Sequence, residues 1–200
     1  LLFLPGAGEI RRVVAALGAG LAANEFSVVP LYGDLAAAQQ DAALRVDANG
    51  RRKVVVATNI AETSLTIDGV RIVVDSGVER RQRFDPTTGM SRLETVRISR
   101  SSADQRRGRA GRTAPGNCYR LWSESAHDSL LPQAPAEILE ADLAPLALEL
   151  ACWGCNDPAA LTWIDPPPPA PLAQARDLLA RLEAIDSGGR VTPLGRDMAA

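Results

Sequence analysis

Residues 53–57, Lys-Val-Val-Val-Ala, form an extended-type run with no alternation of polar and apolar positions. A strand that is apolar on both faces must be covered on both, which is the condition of a central strand in a parallel sheet. Residues 70–75 repeat the pattern, and residues 1–4 are a third short apolar run, stopped by Pro5-Gly6. Between these runs, Ile10, Val13, Val14 and Leu17 recur at helical spacing within 8–18. A further strand is predicted at 26–31 and a second helix at 34–45. Strand–helix–strand repetition implies right-handed crossovers and an α/β, doubly wound parallel sheet. With 4% aromatic residues, its core must be built from Ala, Val, Leu and Ile.

Residues 78–98 break that rhythm. Two extended arms, 78–84 and 93–98, flank Asp85-Pro86-Thr87-Thr88-Gly89, which is turn chemistry, so a β-hairpin inserted into the sheet domain is predicted. Ser101 or Ser102 can then cap a helix running to about Gly111, and residues 116–122 supply a last strand. Pro132 and Pro135 mark a boundary, giving a first domain at 1–128 and a second at 132–200. In the second, residues 138–153 read as a helix. The five prolines of 165–171 read as an extended connector. Residues 172–185 read as another helix with Leu178, Leu179, Leu182 and Ile185 on its apolar face. Ser187-Gly188-Gly189-Arg190 resembles a tight turn or wing, and 195–200 the start of one more helix. Helices followed by a small β-turn suggest a mostly helical, winged-helix-like domain.

The formal net charge of −2 conceals an uneven distribution: residues 76–112 hold ten arginines against four acids. Such a patch binds polyanions even in a mildly acidic chain, because the local field decides contact. No apolar run approaches the roughly 20 residues that span a bilayer, so no membrane partner is expected. Three cysteines and no secretion signal point to a reducing, cytoplasmic setting. Cys152-Trp153-Gly154-Cys155 closes an apolar helical run instead of opening a helix after a strand, and with Cys118 and His127 it falls short of a zinc set. No metal site is expected. The first residue is not Met and the last lies in an apparent helix, which reads as part of a longer chain.

The densest chemistry lies in Gln105-Arg106-Arg107-Gly108-Arg109-Ala110-Gly111-Arg112. On a helix, positions i, i+4 and i+7 share a face, so Gln105, Arg109 and Arg112 point together. Gly108 and Gly111 each cost about 1 kcal/mol inside a helix and need a reason. A solvated basic face is one reading of the stretch. A phosphate-sensing face is the other, because guanidinium forks bind phosphate oxygens in pairs and a glutamine can orient an attacking water.

This stretch resembles motif VI of the DEAH-box helicases, superfamily 2, usually written QRAGRAGR. Residues 57–67, Ala-Thr-Asn-Ile-Ala-Glu-Thr-Ser-Leu-Thr-Ile, resemble motif V of the same family, and Leu2-Phe3-Leu4-Pro5-Gly6 resembles motif IV. The three occur in the family's order and near its spacing. The tail, with 148–154 and Trp163-Ile164-Asp165, is most similar to the bacterial HrpB type. Arg107 departs from the usual Ala and must point to solvent, to ATP or to nucleic acid.

The resemblance implies the second RecA-like domain of an ATP-dependent RNA or DNA helicase, followed by a winged helix. It implies that Arg109 and Arg112 reach the γ-phosphate of ATP, that Gln105 helps place the lytic water, and that Gly108, Thr66 and Asp68 lie at the nucleotide. Thr58 and Asn59 would contact the nucleic-acid backbone, and Arg80, Arg81, Arg83 and Arg92 of the hairpin would suit its phosphates. A simple cap on the following short helix is the alternative for Thr58, and a solvated sheet face the alternative for the hairpin arginines. No G-x-x-x-x-G-K-[ST] and no Asp-Glu-Ala-His occurs. The Mg²⁺ ligands and the rest of the ATP site would therefore come from an N-terminal RecA-like domain of the same chain, and these residues alone would be inactive. Single-stranded RNA or DNA is the implied partner. A non-catalytic nucleic-acid-binding module is the remaining alternative.

Overall fold

The structure, a computed structural model, describes all residues except 64–66, 113, 156 and 200. It divides into two compact units, one of Leu1–Arg81 with Thr95–Ala134 and one of Gln82–Glu94 with Pro135–Ala200.

The first unit is built on a five-stranded parallel sheet. β1 (Leu2–Phe3), β2 (Phe26–Leu31), β3 (Arg52–Ala57), β4 (Ile72–Asp75) and β7 (Asn117–Arg120) run in the order β2-β3-β1-β4-β7. Val55, Val56 and Ala57 are buried, as the unalternated pattern requires, and register with Val29, Pro30 and Leu31 of β2. β1 is two residues long yet central: Phe3 is fully buried, level with Ala57 on one side and Asp75 on the other. α1 (Ala7–Gly20) buries Ile10, and α2 (Ala37–Leu44) buries Ala43. From β1 the chain winds outward to β2, and after β3 it crosses to β4 and β7 on the other side. Such a reversal opens a crevice at the carboxyl ends of the central strands, where ligands of doubly wound sheets bind.

α3 (Arg100–Gly108) starts earlier than either predicted cap. Ser99 is the N-cap, and its Oγ accepts from the Ser102 backbone N–H at 3.1 Å. The α-helix also stops early, at Gly108, and tightens into a 3-10 turn over Arg109–Gly111. Two glycines hold the surrounding layer together. Gly77 has φ +75°, and a Cβ there would lie 2.6 Å from the Trp122 ring. A Cβ on Gly116 would lie 2.1 Å from the Ala110 carbonyl oxygen and 2.5 Å from that of Arg71. Both obstacles at Gly116 are backbone, so neither can rotate aside. Gly116→Ala is expected to cost about 3 kcal/mol and to lower Tm by roughly 10 °C, read by calorimetry. An unchanged Tm would show that the turn and β7 slide apart without penalty.

β5 (Val78–Asp85) and β6 (Met90–Arg97) form the expected hairpin, with arms slightly longer than predicted. Asp85 makes the turn: its Oδ1 accepts from Thr87 N–H and its carbonyl from Gly89 N–H, both at 2.9 Å.

The second unit departs from the sequence reading in three places. Residues 138–153 are not one helix. A 3-10 turn at Glu137–Leu139 precedes α5 (Ala144–Cys152), whose first turn holds a proline and whose Ala144 N–H is capped by Asp142 Oδ1 at 2.9 Å. The proline run is only partly extended, because α6 (Pro169–Arg181) begins inside it. Proline lacks only a donor that the first helical turn leaves unused, so it is tolerated there. The buried face of α6 is Leu172, Ala175 and Leu179, whereas Leu178 and Leu182 are exposed. The tight turn is present: Asp186 Oδ1 accepts from the N–H groups of Gly188 and Arg190, and Ile185 bridges Val191 in antiparallel fashion. α4 (Glu124–Asp128) belongs to the first unit and α7 (Pro193–Ala199) closes the second. Among the described residues no helix is long and apolar enough to cross a membrane.

Candidate nucleotide and nucleic-acid site

The carboxyl ends of the parallel strands place the motif residues. Leu4 N–H donates to the Ala57 carbonyl at 2.8 Å, Thr58 N–H to that of Leu31 at 3.1 Å, and Ser76 N–H to that of Phe3 at 3.2 Å. The chain therefore leaves β1, β3 and β4 at one level. Thr58 is half-buried at this level and heads the 3-10 turn Asn59–Ala61, and its side chain makes no cap hydrogen bond. Asn59 beside it is exposed.

Below this rim, α3 is fastened to the sheet by an arginine that was not singled out in the sequence. Arg106 is 1% exposed. Its Nε donates to Glu62 Oε2 at 2.9 Å, its Nη1 to Asp75 Oδ1 at 3.0 Å, and its Nη2 lies 3.5 Å from Glu79 Oε2. The guanidinium carbon lies 4.9 Å from the centre of the Phe3 ring. Glu79 is also paired with Arg81 at 2.8 Å, and Glu62 Oε2 accepts in addition from Ser102 Oγ at 2.7 Å. A buried cation is tolerated only when its donors are satisfied by such partners.

On the other side of Glu62 lies the cleft expected from the sequence. Gln105, Gly108, Arg109 and Arg112 line a concavity of about 440 Å³ together with Glu62 and Thr63. The i, i+4, i+7 face thus survives the change from α-helix to 3-10 turn. Gln105, Gly108 and Arg112 are exposed, and Arg109 is buried. Arg109 Nε donates to the Glu62 carbonyl at 2.8 Å, and its Nη2 donates to the same oxygen. Burial lowers the Arg109 guanidinium below its ordinary pKa, and the like charge of Arg112 adds to that. An anion between the two guanidinium groups would relieve their repulsion. Methyl groups on Gly108 or Gly111 would meet nothing within 4 Å. Packing within the described chain therefore does not account for these two glycines.

Other expected site residues lie elsewhere. Asp68 is exposed and lines a different concavity, with the amino ends of β1, β3 and β4. Thr66 lies outside the described residues. Arg107 points outward and pairs with Asp104 at 3.6 Å. The hairpin arginines are engaged within the chain. Arg80 reaches Glu9 of α1 at 3.4 Å and packs over Gly6, and Arg81 is held by Glu79. Arg83 and Arg92 pair with Glu94 and Asp85 at 3.7 and 2.6 Å. The pairs of Arg83 and Arg92 are exposed, and such pairs are weak enough to exchange for phosphate. Among the described residues no cluster of three His, Cys, Asp or Glu side chains gathers to hold a metal ion.

Known proteins resemble the chain along its whole length. It is 48% identical over 200 residues to the ATP-dependent RNA helicase HrpB of Escherichia coli strain K12, covering all of this chain and 24% of that protein. It is 42% identical over 200 residues to the probable ATP-dependent RNA helicase DHX34 of Mus musculus, covering 18% of that protein. The crystal structure of Escherichia coli DEAH/RHA helicase HrpB superposes with a TM-score of 0.91 at 47% identity, over all of this chain and 25% of that one. The chain thus spans about a quarter or less of the length of these relatives. Residues 175–200 match the winged-helix, helicase-associated domain HA2. Residues 5–114 match the helicase conserved C-terminal domain, and with more than half of its length in that match the chain belongs to this helicase family.

Proposed function

We propose that the chain is the C-terminal half of an ATP-dependent RNA helicase motor, comprising a second RecA-like domain at 1–128 and a winged-helix region at 132–200. The observation that carries the reading is the cleft in which Gln105, Gly108, Arg109 and Arg112 meet Glu62 and Thr63. Two guanidinium groups and an amide suit a polyphosphate. The one carboxylate among the lining residues, that of Glu62, is already engaged by Arg106 and Ser102. The relatives are named ATP-dependent RNA helicases, which favours ATP and RNA as the ligands.

In this reading Arg109 and Arg112 donate to oxygens of the γ-phosphoryl group and stabilise the charge that spreads over them as the bond to the β-phosphate breaks. Gln105 orients the attacking water, and Gly108 leaves room for the phosphates. Thr66 is assigned to the nucleotide side as well, whereas Asp68, which lines the concavity at the amino ends of the strands, is not. Bound Mg²⁺ supplies further charge neutralisation, held by residues of an N-terminal RecA-like domain of the same chain. Thr58 and Asn59 contact the backbone of single-stranded RNA at the rim of β3, and Arg80, Arg81, Arg83 and Arg92 add phosphate contacts along the hairpin. Closure of the two RecA-like domains on ATP and reopening after hydrolysis would move these contacts along the strand.

The test is ATP hydrolysis by the full-length parent protein with and without single-stranded RNA. RNA-stimulated turnover is the expected result. Absence of hydrolysis with any nucleic acid, alongside retained RNA binding, would instead favour a binding module that keeps the helicase shape.

A further inference from the structure

Arg109 does not stand alone in its cleft: the oxygen that holds it belongs to a residue that is itself clamped. The Glu62 carbonyl accepts from both Nε and Nη2 of Arg109. The Glu62 carboxylate is fixed by Arg106 Nε at 2.9 Å and Ser102 Oγ at 2.7 Å, both on α3. Arg106 is locked in turn by Asp75 at the end of β4 and by Glu79, so Glu62 is pinned to the core of the sheet. A carbonyl seated on the Nε edge of a guanidinium sets the plane of the whole fork, because the group is rigid and flat.

We propose that Glu62 is the positioning residue for Arg109. Its side chain anchors the segment after β3 to α3, and its backbone carbonyl then aims the Arg109 fork into the cleft. The side chain and the carbonyl do different jobs on one residue, so loss of the carboxylate clamp misaims Arg109 through the backbone. The proposal rests on the nucleotide reading of the cleft.

The experiment is a double-mutant cycle in the full-length parent, with RNA-stimulated ATP hydrolysis and thermal melting as readouts. The variants are Glu62→Gln, Glu62→Ala, Arg109→Ala and each Glu62 change combined with Arg109→Ala. Misplacement of a catalytic group by an ångström costs about 100-fold in rate. Glu62→Ala is therefore expected to lower kcat by about that factor with KM for ATP little changed. Glu62→Gln, which keeps the shape and one acceptor, should recover part of the loss. In the Arg109→Ala background the Glu62 changes should cost less than about twofold more, because both act through one group. If Glu62→Ala does not fold, the Glu62→Gln pair of the cycle decides. Full activity of Glu62→Gln and Glu62→Ala while Arg109→Ala is strongly impaired would overturn the proposal, and so would losses that multiply in the double variant. An active Arg109→Ala would instead remove the nucleotide reading of the cleft, an outcome distinct from either.

Discussion

Arg109→Ala in the full-length protein is expected to cut RNA-stimulated ATP turnover by several orders of magnitude while single-stranded RNA binding stays within a few-fold of the parent. Arginines that reach a transferring phosphoryl group from across a cleft contribute about 10³–10⁵ in rate, or roughly 4–7 kcal/mol of barrier. The RNA contacts proposed for Thr58, Asn59 and the hairpin arginines are assigned to residues that do not line the Arg109 cleft, so they do not depend on it. The variant also loses two hydrogen bonds to the Glu62 carbonyl, at a stability cost of about 1–3 kcal/mol. The assay must therefore be run well below the melting temperature of the variant. Turnover within tenfold of the parent, an effect of about 1.4 kcal/mol, would take Arg109 off the catalytic list.

Arg106→Ala is expected to have the largest effect on stability. The substitution leaves the buried Asp75 and the half-buried Glu62 without the cation that both share. Removing one partner of a buried ion pair costs about 3–5 kcal/mol, more than the intact pair contributes, because a bare charge is left behind. The emptied volume adds a cavity term. Against a typical total of about 5–15 kcal/mol, the variant should lose roughly 10–20 °C in Tm. Arg106→Met restores most of the volume but none of the charge, so it should recover little. Adding Glu62→Gln and Asp75→Asn to Arg106→Met removes the bare charges and should restore much of the loss. A fall in Tm of only a degree or two in Arg106→Ala would show that the network contributes little to holding α3 on the sheet.

The sheet was legible because its strands carry their burial in the sequence: 53–57 and 70–75 run without alternation, and the observed β3 and β4 fall there. The hairpin was legible from the Asp85–Gly89 turn. Helix ends were harder. Ser99, Ser101 and Ser102 are all competent caps, and which one serves depends on where the chain leaves the hairpin. In 138–153 apolar content alone carries no sign of the break before Ala144, where Asp142 supplies the cap. Within the site, the face of Gln105, Arg109 and Arg112 followed from helical spacing. Arg106 lies off that face, and its partners Glu62 and Asp75 are 44 and 31 residues away in sequence. Neither carboxylate pattern is visible until β3 and β4 are set side by side around β1. Glu62 was inside a recognised motif but read as one letter of eleven.

Those separations also govern the order in which the protein can mature during synthesis. β1, β3 and β4 leave the ribosome with Asp75 and Glu62 already at the level where the sheet must close, yet the cation that both require is encoded 31 residues after the nearer one. Joining distant residues must overcome loop entropy before any contact rewards it, which makes such steps slow. The centre of the sheet therefore gains its charge partner only once the segment that also carries the cleft arginines has emerged. Arg106 and Arg109 arrive on the same helical segment, so sheet closure and assembly of the cleft fall in one event.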